Sequence, residues 1–233
     1  MSGTIVSDIN VYGADLVWAC AAAAQRINGE YLKNTKYSQY DDGEIYEKRA
    51  NKNIVNGFLY KSDLGQLTNQ VNAEDYATGK TAREYWQGQL LYLINDNANP
   101  YLKACAKIAH EDAIAHPVDI ALISSCVNAY YNEIRKQTLL DLKYSLDSKH
   151  VCDIGSRVNF KCEINVIESR YIDKLETNIV TCIVEGNLYS WWSKSYIGVG
   201  KYAGLCGRVK DHTTDYHSGK PVTMLNYVKV IKK

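Results

Sequence analysis

Between Arg157 and Val166 the chain alternates. Val158, Phe160, Cys162, Ile164 and Val166 are apolar, and Arg157, Asn159, Lys161, Glu163 and Asn165 between them are polar. Successive strand side chains point to opposite faces, so a period of two predicts a half-buried strand. Thr177–Glu185 is β-branched almost throughout and predicts a second strand. Gly186-Asn187 is a hairpin signal, followed by a third strand over Leu188–Ser193. Leu205–His212 and Val222–Ile231 predict a fourth and a fifth strand, joined by the polar loop Asp211–Lys220. Ile167–Glu176 is polar and is expected to be a connection.

The earlier part of the chain has the longer period of helices. Gly13–Asn28 is Ala-rich and free of proline, and Gly29 suits its end. Residues 30–53 are polar and predict an exposed loop with room for a short hairpin. Helices are expected over Ile54–Leu67 and Thr81–Ile94, with a break at Asn95–Asn99. Pro100 suits the first turn of a helix ending near Ala109. Pro117 opens the longest helix, to about Tyr144. Val118, Leu122, Cys126, Tyr130 and Ile134 recur every fourth residue along it, which predicts a core-facing stripe.

These elements predict an α+β chain: an α-helical domain over 1–150, then a five-stranded OB-like β-barrel over 151–233. About ten residues with three glycines separate the third and fourth strands, so a helix there is expected to be absent or a single turn. The 233 residues suffice for one large or two small domains.

Composition narrows the function classes. With 46% hydrophobic and 23% charged residues the chain is of ordinary globular type. No run of about 18 apolar residues predicts a membrane span, and the N-terminus carries neither a secretory nor a myristoylation pattern. Seven scattered cysteines form no C-x-x-C pair, so free thiols in a reducing cytoplasm are expected. The net charge is +1 overall, but residues 151–233 hold 12 Lys+Arg against 8 Asp+Glu. That excess favours a polyanionic partner for the C-terminal part.

Motifs for catalysis or metals are weak. Glu74–Thr81 half-matches a P-loop, but Glu replaces the first glycine and no strand precedes it. His110 and His116 are six apart, not the four of a zinc helix, and His212 and His217 near Cys206 follow no ligand pattern. No nucleophile elbow or paired-carboxylate arrangement appears. The chain is therefore expected to be neither an enzyme nor a holder of a metal or cofactor.

The third strand carries the candidate chemistry. Tyr189 and Trp191 point to one face, Leu188 and Trp192 to the other. A small barrel can fill its interior from only one of those faces, so aromatic surface is expected outside. Tyr189 and Trp191 are assigned as stacking faces. Lys194, Arg208, Lys210 and Lys220 are assigned as phosphate contacts with Arg170, and Tyr171 and Tyr216 as clamps from the loops. Aromatic faces inside a basic rim bind single strands, with bases stacked and phosphates paired. The competing reading packs these aromatics against the helical domain or a protein partner.

Gly186-Asn187-Leu188-Tyr189-Ser190-Trp191-Trp192, Gly207-Arg208-Val209-Lys210-Asp211-His212, Tyr216 and Gly219-Lys220-Pro221-Val222-Thr223-Met224-Leu225-Asn226 resemble a family of bacteriophage single-stranded-DNA-binding proteins with an OB-like barrel. The resemblance covers about residues 155–231. It implies a role in phage DNA replication or recombination in the host cytoplasm, and it adds His212 to the contact residues. The chain ends in Lys232-Lys233, without the acidic tail by which many such proteins recruit partners. Either partner recruitment falls to the acidic helical domain, which is expected to bind a replication or host protein or to self-associate, or the chain is not a general strand-coating protein. The alternative function is an adaptor whose barrel face docks a replisome or host-defence protein.

Overall fold

The computed structural model describes residues 10–39, 43–60, 71–94 and 99–231. The chain is α+β, with helices early and a curled sheet of seven strands late. It divides into two compact units, Met1–Ile134 and Arg135–Lys233, and the division falls inside the longest helix.

In the first unit β1 (Tyr12–Gly13) leads into α1 (Ala14–Asn28). Every residue of α1 from Val17 to Ala24 is buried. A helix with small residues on all sides lets its neighbours approach closely. Gly29 ends it in the left-handed region at φ 68 and donates its N–H to the carbonyl of Gln25. A hairpin of β2 (Lys36–Gln39) and β3 (Ile45–Lys48) follows, then α2 (Asn51–Tyr60). The helix expected over 54–67 thus starts earlier, and positions 61–67 lie outside the described residues.

The helix expected to begin at Thr81 already begins at Ala73. In α3 (Ala73–Gln87) the Asn72 side chain accepts from the N–H of Asp75, whose carboxylate accepts from the N–H of Asn72. This reciprocal cap satisfies two orphan helix donors. The half-matched P-loop is therefore helical. Gly79 serves packing: a Cβ there would sit 2.7 Å from the backbone carbonyl of Trp18. α4 (Leu90–Ile94) is separated from α3 at Gly88-Gln89, and α5 (Pro100–Ala109) is capped by the Asn99 side chain. β4 (Ala113–Ile114) pairs with β1, and α6 runs from Pro117 to Ser145. Of the expected stripe on α6, Cys126 is buried and Leu122 and Tyr130 are half-buried, while Val118 and Ile134 are exposed.

In the second unit the expected five-stranded closed barrel is corrected to an open half-barrel. The strands are β5 (Arg157–Phe160), β6 (Ile164–Ile172), β7 (Thr177–Val184), β8 (Asn187–Ser193), β9 (Gly200–Tyr202), β10 (Gly204–Thr214) and β11 (Pro221–Ile231). Their order is β5-β10-β11-β8-β7-β6-β9, so among the described residues β5 and β9 are edges. All pairings are antiparallel except β8 with β11.

Two features account for the extra strands. The predicted first strand breaks at Lys161-Cys162-Glu163, so its halves, β5 and the start of β6, pair with different neighbours, β10 for the first and β7 and β9 for the second. The polar stretch after Val166 continues as strand to Ile172. A register shift between Val166 and Glu168 sets Glu168 and Arg170 on the outer face, while Ser169 opposes the core residue Val180. The β7–β8 turn uses Glu185 and Gly186, both at positive φ (48 and 78), as the tightest hairpins require. The interval between β8 and β10 carries β9 and no helix.

Candidate nucleic-acid interface

Directly opposed residues on neighbouring strands share a face. Val180 opposes Trp191 and Cys182 opposes Tyr189. All four join Val166, Val209 and Leu225 in the core of the half-barrel. Trp191 is 2% exposed and Tyr189 is 1% exposed, so the stacking roles assigned to them are corrected. Burial pushes the Tyr189 phenol up from its ordinary pKa.

Parity sends the other indole outward. Trp192 opposes Ile179, and Ile179 opposes Arg170 on β6, giving an outer row Arg170–Ile179–Trp192 across three strands. Trp192 is 44% exposed. In the next row Glu168 opposes Thr181, Thr181 opposes Ser190, and Ser190 opposes Met224 on β11. The second row, with Arg170 and Ile179 of the first, floors a cleft of about 410 Å³ that the β10–β11 loop walls with Asp215, Tyr216 and His217; Trp192 continues the first row outside its lining. Tyr216 is 94% exposed at its rim. The cleft therefore offers an apolar floor, hydroxyls, one guanidinium and one open aromatic ring.

A buried cation holds this wall in place. Lys143, near the end of α6, is 4% exposed. Its Nζ donates to Asp215 Oδ2 at 2.8 Å and to Glu168 Oε2 at 3.0 Å. Asp215 Oδ1 accepts from Ser218 N at 2.8 Å, Ser218 Oγ at 2.9 Å and His217 N at 3.2 Å. Burial opposes ionisation of Asp215, but the bonds from Lys143 and Ser218 outweigh it and lower its pKa to about 2. Burial likewise opposes the Lys143 charge, and the two carboxylates reverse that and raise its pKa.

The remaining predicted contacts are scattered. Arg170 is exposed, with Nε 3.9 Å from Glu168 Oε1. Tyr171 is exposed at the end of β6, and Lys194 is exposed just after β8. Lys220 is half-buried, and its Nζ donates to the carbonyl of Leu146 at 2.6 Å. His212 lies flat against His150, with ring centroids 4.5 Å apart and planes within 2°, so one of its faces is taken. Arg208 and Lys210 are exposed on β10, and Arg208 Nε donates to the carbonyl of Gly155 at 2.7 Å.

The structure thus brings Arg170 and Tyr216 to one cleft and leaves the others around it. Sequence reasoning missed Ile179 and Trp192 as its neighbours. The alternation of β7 separates Ile179 and Ile183 from Val180, Cys182 and Val184, and Thr181 between the isoleucines is the polar residue that marks the outer face. In the helical unit a second cleft, of about 470 Å³, is lined by Lys107, Glu111, His116 and Asp119 among others. Among the described residues no side-chain hydrogen bond joins these four, and no group of three or more His, Cys, Asp or Glu is placed to hold a metal ion. Among the described residues no helix is long and apolar enough to cross a membrane. No family model, curated protein or solved structure matches the chain.

Proposed function

We propose that the outer face of β7 and β8, together with the β10–β11 loop, binds single-stranded nucleic acid. Single-stranded DNA in phage replication or recombination, in the host cytoplasm, is the role the C-terminal resemblance suggests. The observation that carries the reading is the row Arg170–Ile179–Trp192, which sets a half-exposed indole and a guanidinium beside a cleft rimmed by Tyr216. Trp192 takes the stacking role first given to Trp191. Stacking on an aromatic side chain is worth about 1–3 kcal/mol per base.

The connectivity supports the same reading. If β5 and β6 are counted as two halves of one bent strand, the order of the five longer strands follows that of an OB-type Greek key, including the parallel pair β8–β11. Folds of that type bind oligonucleotides on the face of their second and third strands and with the loop between the fourth and fifth. Those positions correspond here to β7, β8 and the Asp215–Lys220 loop. The helical unit is read as an interaction or self-association module, and the exposed Leu91 and Ile94 of α4 support that part.

Titration with oligothymidylate tests the proposal. Tryptophan fluorescence is expected to fall on binding, and the affinity to weaken with salt. Neutralising about four phosphates gives a log–log slope near −3. Absence of quenching, or a flat salt response, would overturn it.

A further inference from the structure

A second outward row crosses the other end of the same sheet. Arg208 on β10 opposes Arg157 on β5 and Asn226 on β11. Their chain neighbours Val158, Val209 and Leu225 belong to the core, so the row faces out. Two like charges directly opposed across a ladder are destabilising. Among the described residues neither arginine has a carboxylate partner. The bond from Arg208 Nε to the Gly155 carbonyl, 2.7 Å, fixes that guanidinium and leaves its other N–H groups open.

Tyr227 stands beside this pair on a bulge. From Cys206–Lys229 to Arg208–Asn226 the register slips, with one extra residue on β11. Tyr227 lies in the slip at φ 52 and is 83% exposed. A bulky residue in the left-handed region is strained, and strain of this kind clusters at functional sites. An aromatic ring held out at such a cost, beside two arginines facing each other, is chemistry suited to a base and its phosphate.

We propose that Arg157, Arg208 and Tyr227 form a second contact for the same single strand, with a phosphate between the guanidinium groups and a base on Tyr227. This inference rests on the nucleic-acid reading of the β7–β8 face. The two contacts lie on one continuous outer surface. Leu225 on β11 is level with Trp191 on β8, so the Arg157–Arg208–Asn226 row continues the Arg170–Ile179–Trp192 row. From β6 to β5 the combined row crosses five strand spacings, about 24 Å. At about 3.4 Å per stacked nucleotide that is about seven nucleotides, within the 4–16 typical of one such fold.

The test uses the full chain with labelled oligothymidylates of about four nucleotides, too short for both contacts, and about twelve, longer than the about seven that the combined row spans. Tyr227→Gly is expected to weaken binding of the longer oligomer about 5- to 150-fold, the range for one stacked base, and to leave the shorter one unchanged. Its melting temperature should stay the same or rise, because glycine occupies φ 52 without strain. Arg157→Gln, an exposed change that relieves a like-charge pair, should flatten the salt slope for the longer oligomer by about 0.7 per phosphate lost. If both variants bind the longer oligomer as the parent protein does, while Trp192→Ala weakens it, the second contact is overturned and the first stands. Equal losses for both oligomers on Tyr227→Gly would also overturn it, as a separate contact. If the parent protein binds neither oligomer, both readings fall.

Discussion

Trp192 lies directly opposite Ile179 on the outer face of the β7–β8 ladder, one residue along from Trp191, which lies opposite Val180 on the inner face. Adjacent indoles thus have separate duties, and substitution separates them. Trp191→Ala empties a packed site and should cost about 3–5 kcal/mol in stability. Trp192→Ala should cost about 1 kcal/mol or less, as a partly exposed change away from the core. Urea unfolding of the two variants checks this, and equal losses would contradict the assignment of faces.

The Asp215 carboxylate makes the second unit sensitive to acid. Its folded pKa, about 2, lies below its ordinary value of 3.8. The stabilisation is therefore complete above about pH 4 and lost as pH falls from there through 2, with a total near 2 kcal/mol. Asp215→Asn should remove this part of the acid dependence and lower stability at neutral pH. A stability–pH curve that keeps its acid limb in the variant would contradict the account.

Lys143 neutralises two carboxylates at once. Lys143→Met leaves Glu168 and Asp215 facing each other without the buried cation, and breaking such a pair costs about 3–5 kcal/mol. The β10–β11 loop should loosen with it, because Asp215 organises the backbone of His217 and Ser218. Faster amide hydrogen exchange at those two residues is the expected signature. Unchanged exchange would show that Lys143 does not hold the loop.

Gly79 tests why a glycine stands in the middle of a helix. In a free helix Gly→Ala gains about 1 kcal/mol. Here the added Cβ meets the Trp18 backbone at 2.7 Å, and backbone cannot rotate away, so overpacking of about 1–3 kcal/mol or more should win. A lower melting temperature for Gly79→Ala is expected, and a higher one would contradict the close α1–α3 crossing.

Much of this fold is legible in the residues. The Ala-rich run, the glycine after it, Pro100 and Pro117 mark helix ends by steric rules that act within a few residues. Strand alternation likewise gives β7 and β8 and the separation of Trp191 from Trp192. Which face turned inward was not legible from β8 alone, since Tyr189 and Trp191 are as amphipathic as Trp192. The decision came from Val180, Cys182 and Leu225 on neighbouring strands. The break at Lys161-Cys162-Glu163 and the bulges at Ile167 and Tyr227 were hidden for a similar reason. An alternating pattern does not record a change of pairing partner. The Asn72–Asp75 cap could have been read, and it would have moved the start of α3 and removed the P-loop from consideration.

The most direct measurement of the central claim is the affinity of full-length Trp192→Ala for oligothymidylate, compared with the parent protein at one salt concentration. The account predicts a loss of about 1–3 kcal/mol in binding with an unchanged far-ultraviolet spectrum and a melting temperature lowered by no more than a few degrees. Undiminished binding by a folded Trp192→Ala would contradict it.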